Sequence, residues 1–288
     1  MSGNSPKVAI APKVAIVTGA ARGLGREYAI RLATYGYAVA IVDIDAAGAE
    51  ETAQLVAERG GTPRVEIADV TLIDAWTDLR QRLQADWPRL DLLINNAGMY
   101  AAGNVGALDL AEAERVVRLN LMSVLYSCHT MTPWLVESAK TGSPRPRIIN
   151  IASSFAFLCP PGMAPYNLSK AAVVALSETL QGELKPHHVG VTVVCPGPMP
   201  TRFVESASFA SDAFRRMTDV YVQNSRLDPA EVAAESLAAS ECGELYVVMG
   251  ADQRWYWRAK RWLPRTLLSR VARRVRKDLA AAKNLTEN

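Results

Sequence analysis

Three side chains near the middle of the chain have the types and spacing suited to hydride-transfer chemistry. Ser153 precedes Tyr166 by thirteen residues, and Lys170 follows that tyrosine by four. Residues four apart share one face of a helix, so Tyr166 and Lys170 can present a phenol and an ammonium to one site. A nearby cation favours the phenolate and lowers the pKa of a tyrosine from its usual value of about 10. The pair is therefore predicted to donate and accept a proton near neutral pH.

The segment before Ser153 must carry that hydroxyl to the same place. Residues 147–151 are strand-like, and open α/β sheets bind ligands at the carboxyl ends of their strands. Ser153 would then orient a substrate oxygen. Two structural alternatives stay open from these residues alone. A serine after a strand commonly caps a helix or a turn, and a Tyr-x-x-x-Lys pair is common on exposed helices.

A glycine-rich loop follows the first predicted strand and opens a helix. Its sequence is Thr18-Gly19-Ala20-Ala21-Arg22-Gly23-Leu24-Gly25. Glycines in such a turn let the backbone approach a pyrophosphate, and the amides and dipole of the helix N-terminus favour its charge. The loop predicts dinucleotide binding, with a plain tight turn as the alternative.

The second predicted strand ends at Asp43, eighteen residues beyond Gly25. A carboxylate there can accept hydrogen bonds from the adenosine ribose and repel a 2′-phosphate, which favours NAD over NADP. Arg22 keeps NADP open, because a basic residue in the glycine loop can pair with a 2′-phosphate. An Asx turn or a helix cap is the structural alternative for Asp43.

Short apolar runs rich in β-branched residues alternate with helical stretches along the chain. Strands are predicted at 14–17, 38–42, 62–67, 92–94, 147–151, 191–194 and 245–248. Helices are predicted at 25–35, 46–59, 110–127, 169–184 and 229–240. This βαβ pattern predicts an α/β fold, a single-domain doubly wound parallel sheet of the Rossmann type with helices on both faces.

Composition narrows the class of protein further. The 288 residues, 49% of them hydrophobic, suffice for one large domain with a buried core. No apolar run reaches eighteen residues and the first residues lack a signal-peptide pattern, so a cytoplasmic protein is expected. The four cysteines and three histidines are scattered without ligand spacing. We expect buried thiols, no disulfide framework and no metal site.

Further motifs follow in a fixed order: Asn95-Asn96-Ala97-Gly98, Asn120 and Pro196-Gly197. Together with the glycine loop, Ser153 and Tyr166-x-x-x-Lys170, they make the chain resemble a short-chain dehydrogenase/reductase from about Lys13 to Gly250. The resemblance implies the following cofactor contacts: Asp69 and Val70 at the adenine, Asn96, Ala97 and Gly98 in a turn that stabilises the sheet, and Pro196, Gly197, Met199 and Thr201 at the nicotinamide.

The same resemblance implies a role for each of four catalytic residues. Tyr166 is the acid/base, Lys170 binds the nicotinamide ribose and lowers the pKa of the phenol, Ser153 steadies the substrate oxygen, and Asn120 keeps a proton-relay water. The implied reaction is hydride transfer between NAD(H) and an alcohol or ketone. An NADP(H)-dependent carbonyl reductase and a non-catalytic cofactor-binding sensor are the alternatives. Relatives are commonly homo-dimers or homo-tetramers, which we expect here.

The substrate is inferred from segments outside the cofactor motifs. These are mostly apolar: Met99-Tyr100, Phe155 to Leu158, Pro160 to Met163, and a predicted substrate lid at 202–227 that contains Phe203, Phe209, Phe214, Met217 and Tyr221. Aromatic and methionine side chains favour lipophilic ligands, so we expect a secondary alcohol or ketone of medium to large size. Ordinary core packing is the alternative for each of these side chains.

The predicted domain at 13–250 is flanked by two extensions. Residues 1–12 form an N-terminal extension, and residues 251–288 form a basic C-terminal extension. The C-terminal extension has eleven Lys/Arg against three Asp/Glu. Its apolar residues recur every four positions: Leu263, Leu267, Val271, Val275 and Leu279. This predicts a basic amphipathic helix, which either packs on protein, as we favour, or lies on an anionic membrane. No nucleic-acid-binding motif accompanies the charge, so nucleic acid is not expected as a partner.

Overall fold

A parallel sheet of seven strands is the centre of the computed structural model, which describes residues 12–142, 144–200, 204–205 and 207–284. The strands, with two short ones outside the sheet, are β1 (Lys13–Thr18), β2 (Tyr37–Asp43), β3 (Thr62–Ile67), β4 (Leu92–Asn95), β5 (Ala101–Ala102), β6 (Arg147–Ile151), β7 (Gly190–Cys195), β8 (Ser208–Phe209) and β9 (Tyr246–Val248). The order across the sheet is β3-β2-β1-β4-β6-β7-β9, while β5 and β8 pair with each other.

Helices connect these strands and cover the sheet. They are α1 (Gly23–Thr34), α2 (Ala46–Glu58), α3 (Ile73–Asp86), α4 (Leu110–Val117), α5 (Ser123–Lys140), α6 (Phe155–Leu158), α7 (Ala164–Leu184), α8 (Asp212–Gln223), α9 (Pro229–Glu241), α10 (Ala251–Trp262) and α11 (Pro264–Asn284). A π-helical turn, Arg118–Met122, joins α4 to α5, and a 3₁₀ turn, Lys185–His187, precedes β7.

The strands β1, β2, β4, β6 and β7 are buried on both faces, as expected for largely apolar parallel strands, whereas most of the edge strand β3 is only partly buried or exposed. Alternate residues of β1 and β2 point to opposite sides. On one side Ile16 and Ala40 pack in a core with α3, α5 and α7; on the other, Val17 and Ile41 pack with α1, α2 and α9. The predicted doubly wound fold is confirmed.

Each predicted strand is present, with ends that differ by at most one residue. The helix predicted from residue 169 begins five residues earlier, at Ala164, because Pro165 in its first turn needs no hydrogen-bond partner for its nitrogen. The helix predicted at 110–127 is interrupted by the π turn and continues to Lys140. The pairing of β5 with β8 is a feature that the apolar pattern did not predict, since strands of two residues have no periodicity to detect.

The C-terminal extension forms α10 and α11, which pack on the body of the protein. Leu267 and Val275 are buried, and Val271 and Leu279 are half-buried against the cluster that contains Tyr166. The apolar stripe therefore lies against protein, as we favoured. No helix within the described ranges is long and apolar enough to span a bilayer.

The expectation of buried thiols holds for two of the four cysteines. Cys128 and Cys195 are buried, Cys159 is half-buried and Cys242 is exposed. The prediction was wrong for Cys242, because it follows the last residue of α9 on the protein surface.

Candidate active site

A cleft of about 520 Å³ lies along the carboxyl ends of the strands. It is where a doubly wound sheet is expected to bind ligands. The predicted site residues that line it are Gly19, Arg22, Gly23, Leu24, Asp43, Asp69, Val70, Asn96, Ala97, Gly98, Ser153, Tyr166, Lys170, Pro196, Gly197 and Met199. Gly25 and Asn120 lie behind the cleft wall, and Thr201 is outside the described residues. Sequence motifs separated by up to 180 residues thus converge on one cavity.

Tyr166 is brought to Ser153 by the junction of β6, α6 and α7. The two hydroxyls are hydrogen-bonded, and the Ser153 Oγ also accepts from the backbone N–H of Phe155 at 3.2 Å. The ring of Tyr166 contacts Tyr100 edge-on, with centroids 5.2 Å apart. Packing and the hydrogen bond together fix the direction of the phenol.

Lys170 lies one helical turn after Tyr166, as the spacing predicts. Its Nζ is 5.9 Å from the centre of the Tyr166 ring and donates a hydrogen bond of 2.8 Å to the carbonyl oxygen of Ile151. The amine is buried and faces the cleft. It is thus held between the end of β6 and the tyrosine.

Burial dominates the acidity of both groups. It raises the pKa of Tyr166 to about 12, although the hydrogen bond with Ser153 acts in the opposite direction. Loss of solvent lowers the pKa of Lys170 to about 8. Removal of the phenolate from water thus outweighs the hydrogen bond with Ser153, and the effect of Lys170 on the pKa of the phenol stays a prediction.

Asn120 lies in the π-helical turn, where an extra residue re-aims the side chain. It is fully buried, its Oδ1 accepts from the Met99 N–H at 2.8 Å, and its Nδ2 donates to the Met99 carbonyl at 2.9 Å. A further bond of 3.2 Å reaches the hydroxyl of Ser169, between Tyr166 and Lys170 in sequence. Asn120 therefore ties the segment after β4 to the helix that carries the tyrosine.

The glycine loop is held by the turn that follows β4. Asn96 Nδ2 donates to the carbonyl oxygens of Thr18 and Gly19 at 3.0 and 3.1 Å. Gly19 and Gly23 have φ of +62° and +57°, a region that favours glycine. A Cβ on Gly25 would overlap the carbonyl oxygen of Gly19, so only glycine lets α1 approach the loop this closely. The loop leaves a cradle of backbone at the N-terminus of α1, which fits a pyrophosphate.

Asp43, at the end of β2, lies beside the glycine loop and lines the cleft. One carboxylate oxygen accepts from the Ala21 N–H at 2.9 Å and the other from the Asp45 N–H at 3.0 Å. The second bond is the Asx-type turn that the sequence left open, and the first joins β2 to the glycine loop. Arg22 is exposed and also lines the cleft.

Asp69 and Val70 lie on the same side of the cleft. Asp69 is exposed and accepts bonds of 2.9 and 2.7 Å from the backbone and hydroxyl of Thr71, whereas Val70 is buried. Asp69 thus stabilises the turn before α3, and Val70 offers an apolar wall.

The part of the cleft away from the glycine loop is largely apolar. Met99, Tyr100, Phe155 and Tyr221 line it, as predicted for the substrate side. Core packing, the alternative, holds for four others that do not line the cleft: Phe157, Leu158, Phe214 and Met217. Phe203 lies outside the described residues.

Several residues of the site were missed by sequence reasoning. The cleft is also lined by Arg115, Arg118, Leu119 and Thr218. Arg118 and Leu119 follow Arg115 by three and four residues, which places the three side chains on one face of a helix. This spacing was visible in the sequence just before Asn120. A buried bond of 2.8 Å from Asn95 to Asn150 joins β4 to β6, and Asn150 sits in an apolar strand where no polar partner could be foreseen.

The sequence family described as short chain dehydrogenase matches residues 13–211. The probable oxidoreductase EphD of Mycobacterium tuberculosis is 34% identical over 193 residues, 67% of this chain and 32% of that protein. The chain therefore spans about a third of the length of this relative.

Two further proteins are similar over most of their length. The CLA biosynthesis dehydrogenase/reductase of Lactiplantibacillus plantarum is 31% identical, covering 74% of this chain and 73% of the relative. A short-chain dehydrogenase/reductase from Burkholderia phymatum, solved in complex with NAD, is 25% identical with a TM-score of 0.79. That likeness covers 87% of this chain and 93% of the other.

Proposed function

The chain belongs to the short-chain dehydrogenase family, and on that premise we propose that it is an NAD(P)-dependent oxidoreductase that interconverts a lipophilic secondary alcohol and its ketone with NAD(H). The observation that carries the proposal is the buried Tyr166 hydroxyl, hydrogen-bonded to Ser153 beside the Lys170 amine on the wall of the cleft. A buried phenol fixed in direction on the wall of a cleft is suited to exchange a proton with a substrate oxygen.

The proposed catalytic roles rest on these contacts. Tyr166 takes the alcohol proton in oxidation and returns it in reduction, while Ser153, which already bonds the phenol, orients the substrate oxygen. Lys170 binds the nicotinamide ribose, and its buried amine favours a negative charge on the phenol once the site is filled. Asn120 keeps a water beside Lys170, a role supported by the nearness of both side chains to Gly98.

NAD is the proposed cofactor, and when bound it would supply the hydride acceptor or, reduced, the hydride donor. The glycine cradle would hold its pyrophosphate, Asp43 its adenosine ribose, Val70 its adenine, and the loop at Pro196, Gly197 and Met199 its nicotinamide. The Asp43 carboxylate faces the cleft and opposes a 2′-phosphate. Arg22 is the residue that would favour NADP instead.

The substrate side is proposed to be closed by the segment 202–227. Support comes from Val204, Thr218, Tyr221 and Val222, which line the cleft together with Tyr100. Rings and branched aliphatic chains make this part apolar, so a lipophilic ligand would bury its surface there.

The test is a panel of long-chain, cyclic and small charged hydroxy compounds, followed through nicotinamide absorbance with NAD and with NADP. We expect turnover of the lipophilic members with NAD, and a loss of at least about tenfold in the preference for NAD in Asp43→Asn, which corresponds to about 1.4 kcal/mol. Turnover of small charged hydroxy acids alone would contradict the substrate proposal. Binding of NADH without any turnover would favour the sensor alternative.

A further inference from the structure

The helix α10 has two faces with different environments. On its inner face the rings of Trp257 and Tyr246 lie 5.3 Å apart, and Lys260 Nζ is 3.6 Å from the Cys159 sulfur. Tyr256 packs against the main core from the same helix. These contacts fix the rotation of α10 about its axis.

The outer face of α10 presents large apolar side chains to solvent. Trp255, Arg258 and Trp262 follow at spacings of three and four residues, which puts them on one side of the helix. Trp255 is 55% exposed and Trp262 85%, and Leu263 at the junction with α11 is 60% exposed. Together with Leu268, these define a surface that we name the tryptophan corner.

The tryptophan corner shares only Leu263 with the apolar stripe that the sequence predicted. Leu267 and Val275 of that stripe are buried against the protein and are not available to a partner. Leu263 is the one described residue of the stripe that is well exposed. The large apolar side chains of the extension that are well exposed are therefore those of the corner, not the buried part of the stripe.

Basic side chains surround the tryptophan corner. Arg254, Arg258, Arg261 and Arg265 are exposed, against the single acidic Asp252 in the same stretch. Arg261 stacks on Trp257 at 4.3 Å, whereas Arg258 and Arg265 form no ion pair with any described residue. Two guanidinium groups are thus free to bind anions beside the tryptophans.

We propose that the tryptophan corner docks on an anionic phospholipid surface. Tryptophan is suited to the boundary between headgroups and acyl chains, and arginine binds phosphate with several donors. Each basic residue near an anionic leaflet contributes attraction that salt screens. Exposed indoles with exposed arginines beside them fit a deformable lipid surface better than a shaped protein groove. This proposal does not depend on the reaction proposed above.

The test is sedimentation of the full-length protein with vesicles of phosphatidylcholine alone and of phosphatidylcholine mixed equally with phosphatidylserine. We expect binding to the anionic vesicles that falls as salt is raised. Trp255→Ser/Trp262→Ser/Leu263→Ser should weaken it by at least about tenfold. Arg258→Gln/Arg265→Gln should weaken it by about fivefold per arginine.

A matched control is Val105→Ser/Leu110→Ser, which removes two side chains that are 79% and 71% exposed on another part of the surface. It should bind vesicles as the wild type does. Each variant is first checked for wild-type NADH affinity and melting temperature, so that loss of fold is excluded. The proposal is overturned if wild-type protein stays in the supernatant with anionic vesicles, or if the tryptophan variant sediments equally. It is also overturned if the corner variants lower the molar mass of the lipid-free protein but leave vesicle binding unchanged. The surface would then be an interface between copies of this chain.

Discussion

Each residue of the candidate site is held by a neighbour from a different element. Tyr166 on α7 is fixed by Ser153 after β6 and by the ring of Tyr100 after β4. Lys170 is fixed by a backbone carbonyl at the end of β6. The reacting hydroxyl therefore depends on the whole carboxyl edge of the sheet and not on one helix.

The two adjacent serines give a matched test of the phenol's surroundings. Ser153 bonds Tyr166 and lowers its pKa, whereas the buried Ser154 hydroxyl has no hydrogen-bond partner among the described residues. Ser153→Ala should move the rising limb of the pH profile for alcohol oxidation to higher pH, because the phenolate becomes harder to form. The profile is measured through nicotinamide absorbance. Ser154→Ala should leave it unchanged, and equal shifts in both variants would contradict the assignment.

Lys170 predicts a pH dependence of stability. Burial lowers the pKa of its amine from 10.5 to about 8, so between these values the unfolded state binds the proton that the folded state has released. The contribution of Lys170 to stability is thus complete above pH 10.5 and is lost as the pH falls through about 8.

Urea unfolding measured between about pH 8 and pH 10.5 checks the sign of this pH dependence. The free energy of unfolding of the wild type relative to Lys170→Met should rise with pH, by at most about 1.4 kcal/mol per pH unit. Subtracting the free energy of unfolding of Lys170→Met from that of the wild type cancels the contributions of the tyrosines and cysteines that titrate in both proteins. A difference that stays constant or falls with pH would show that the amine is not desolvated.

At the scale of elements, the C-terminal helix α11 braces the helix α8 of the proposed lid. Tyr221 on α8 donates a hydrogen bond of 2.6 Å to the Asp278 carboxylate on α11, and Arg216 donates one of 3.0 Å to the carbonyl oxygen of Ala282. Phe214 of α8 and Val275 of α11 belong to the same apolar cluster. Because Tyr221 lines the cleft, α11 positions part of the substrate side.

Removing the carboxylate should loosen this brace. Asp278→Ala leaves the Tyr221 hydroxyl without that acceptor, so we expect a higher KM for lipophilic substrates, unchanged NADH affinity and a loss of about 1 kcal/mol in stability. Steady-state kinetics and thermal unfolding measure these effects. Lys277→Ala, at the exposed neighbouring position, is the control. An Asp278→Ala enzyme with an unchanged KM would show that α11 does not position the lid.

The elements that sequence predicts best here are those with continuous patterns. Most of the seven strands are dominated by apolar residues, although β3 contains Arg64 and Glu66, and the glycine loop has a regular spacing between a strand and a helix. The π turn at Asn120 could not be predicted, because it depends on the bonds that Asn120 makes to Met99, which is distant along the chain from the helix pattern. The pKa of Tyr166 could not be predicted either, since burial is a property of the folded protein.

At the scale of the whole molecule, the basic extension has one face that packs on the protein and one face that is exposed to solvent. Its apolar stripe completes the cluster around Tyr166, while Trp255 and Trp262 remain exposed among arginines. The periodicity of the stripe was visible in the sequence, but its burial depends on the packing of α11 against α8, which the sequence alone does not give. A homo-dimer or homo-tetramer stays a prediction, which light scattering of the purified protein can check.

The central claim is that the cleft supports hydride transfer between the nicotinamide and a ketone carbon, with Tyr166 as the residue that exchanges the proton, and isotope transfer tests it most directly. Wild-type enzyme is given a lipophilic ketone and NADH that carries deuterium at the transferable position, and the product is analysed by mass spectrometry. We predict one deuterium on the carbinol carbon, and a rate lower by about 100-fold to 10,000-fold in Tyr166→Phe with NADH affinity retained. An unlabelled alcohol, or labelled alcohol formed at the wild-type rate by Tyr166→Phe, would contradict the claim.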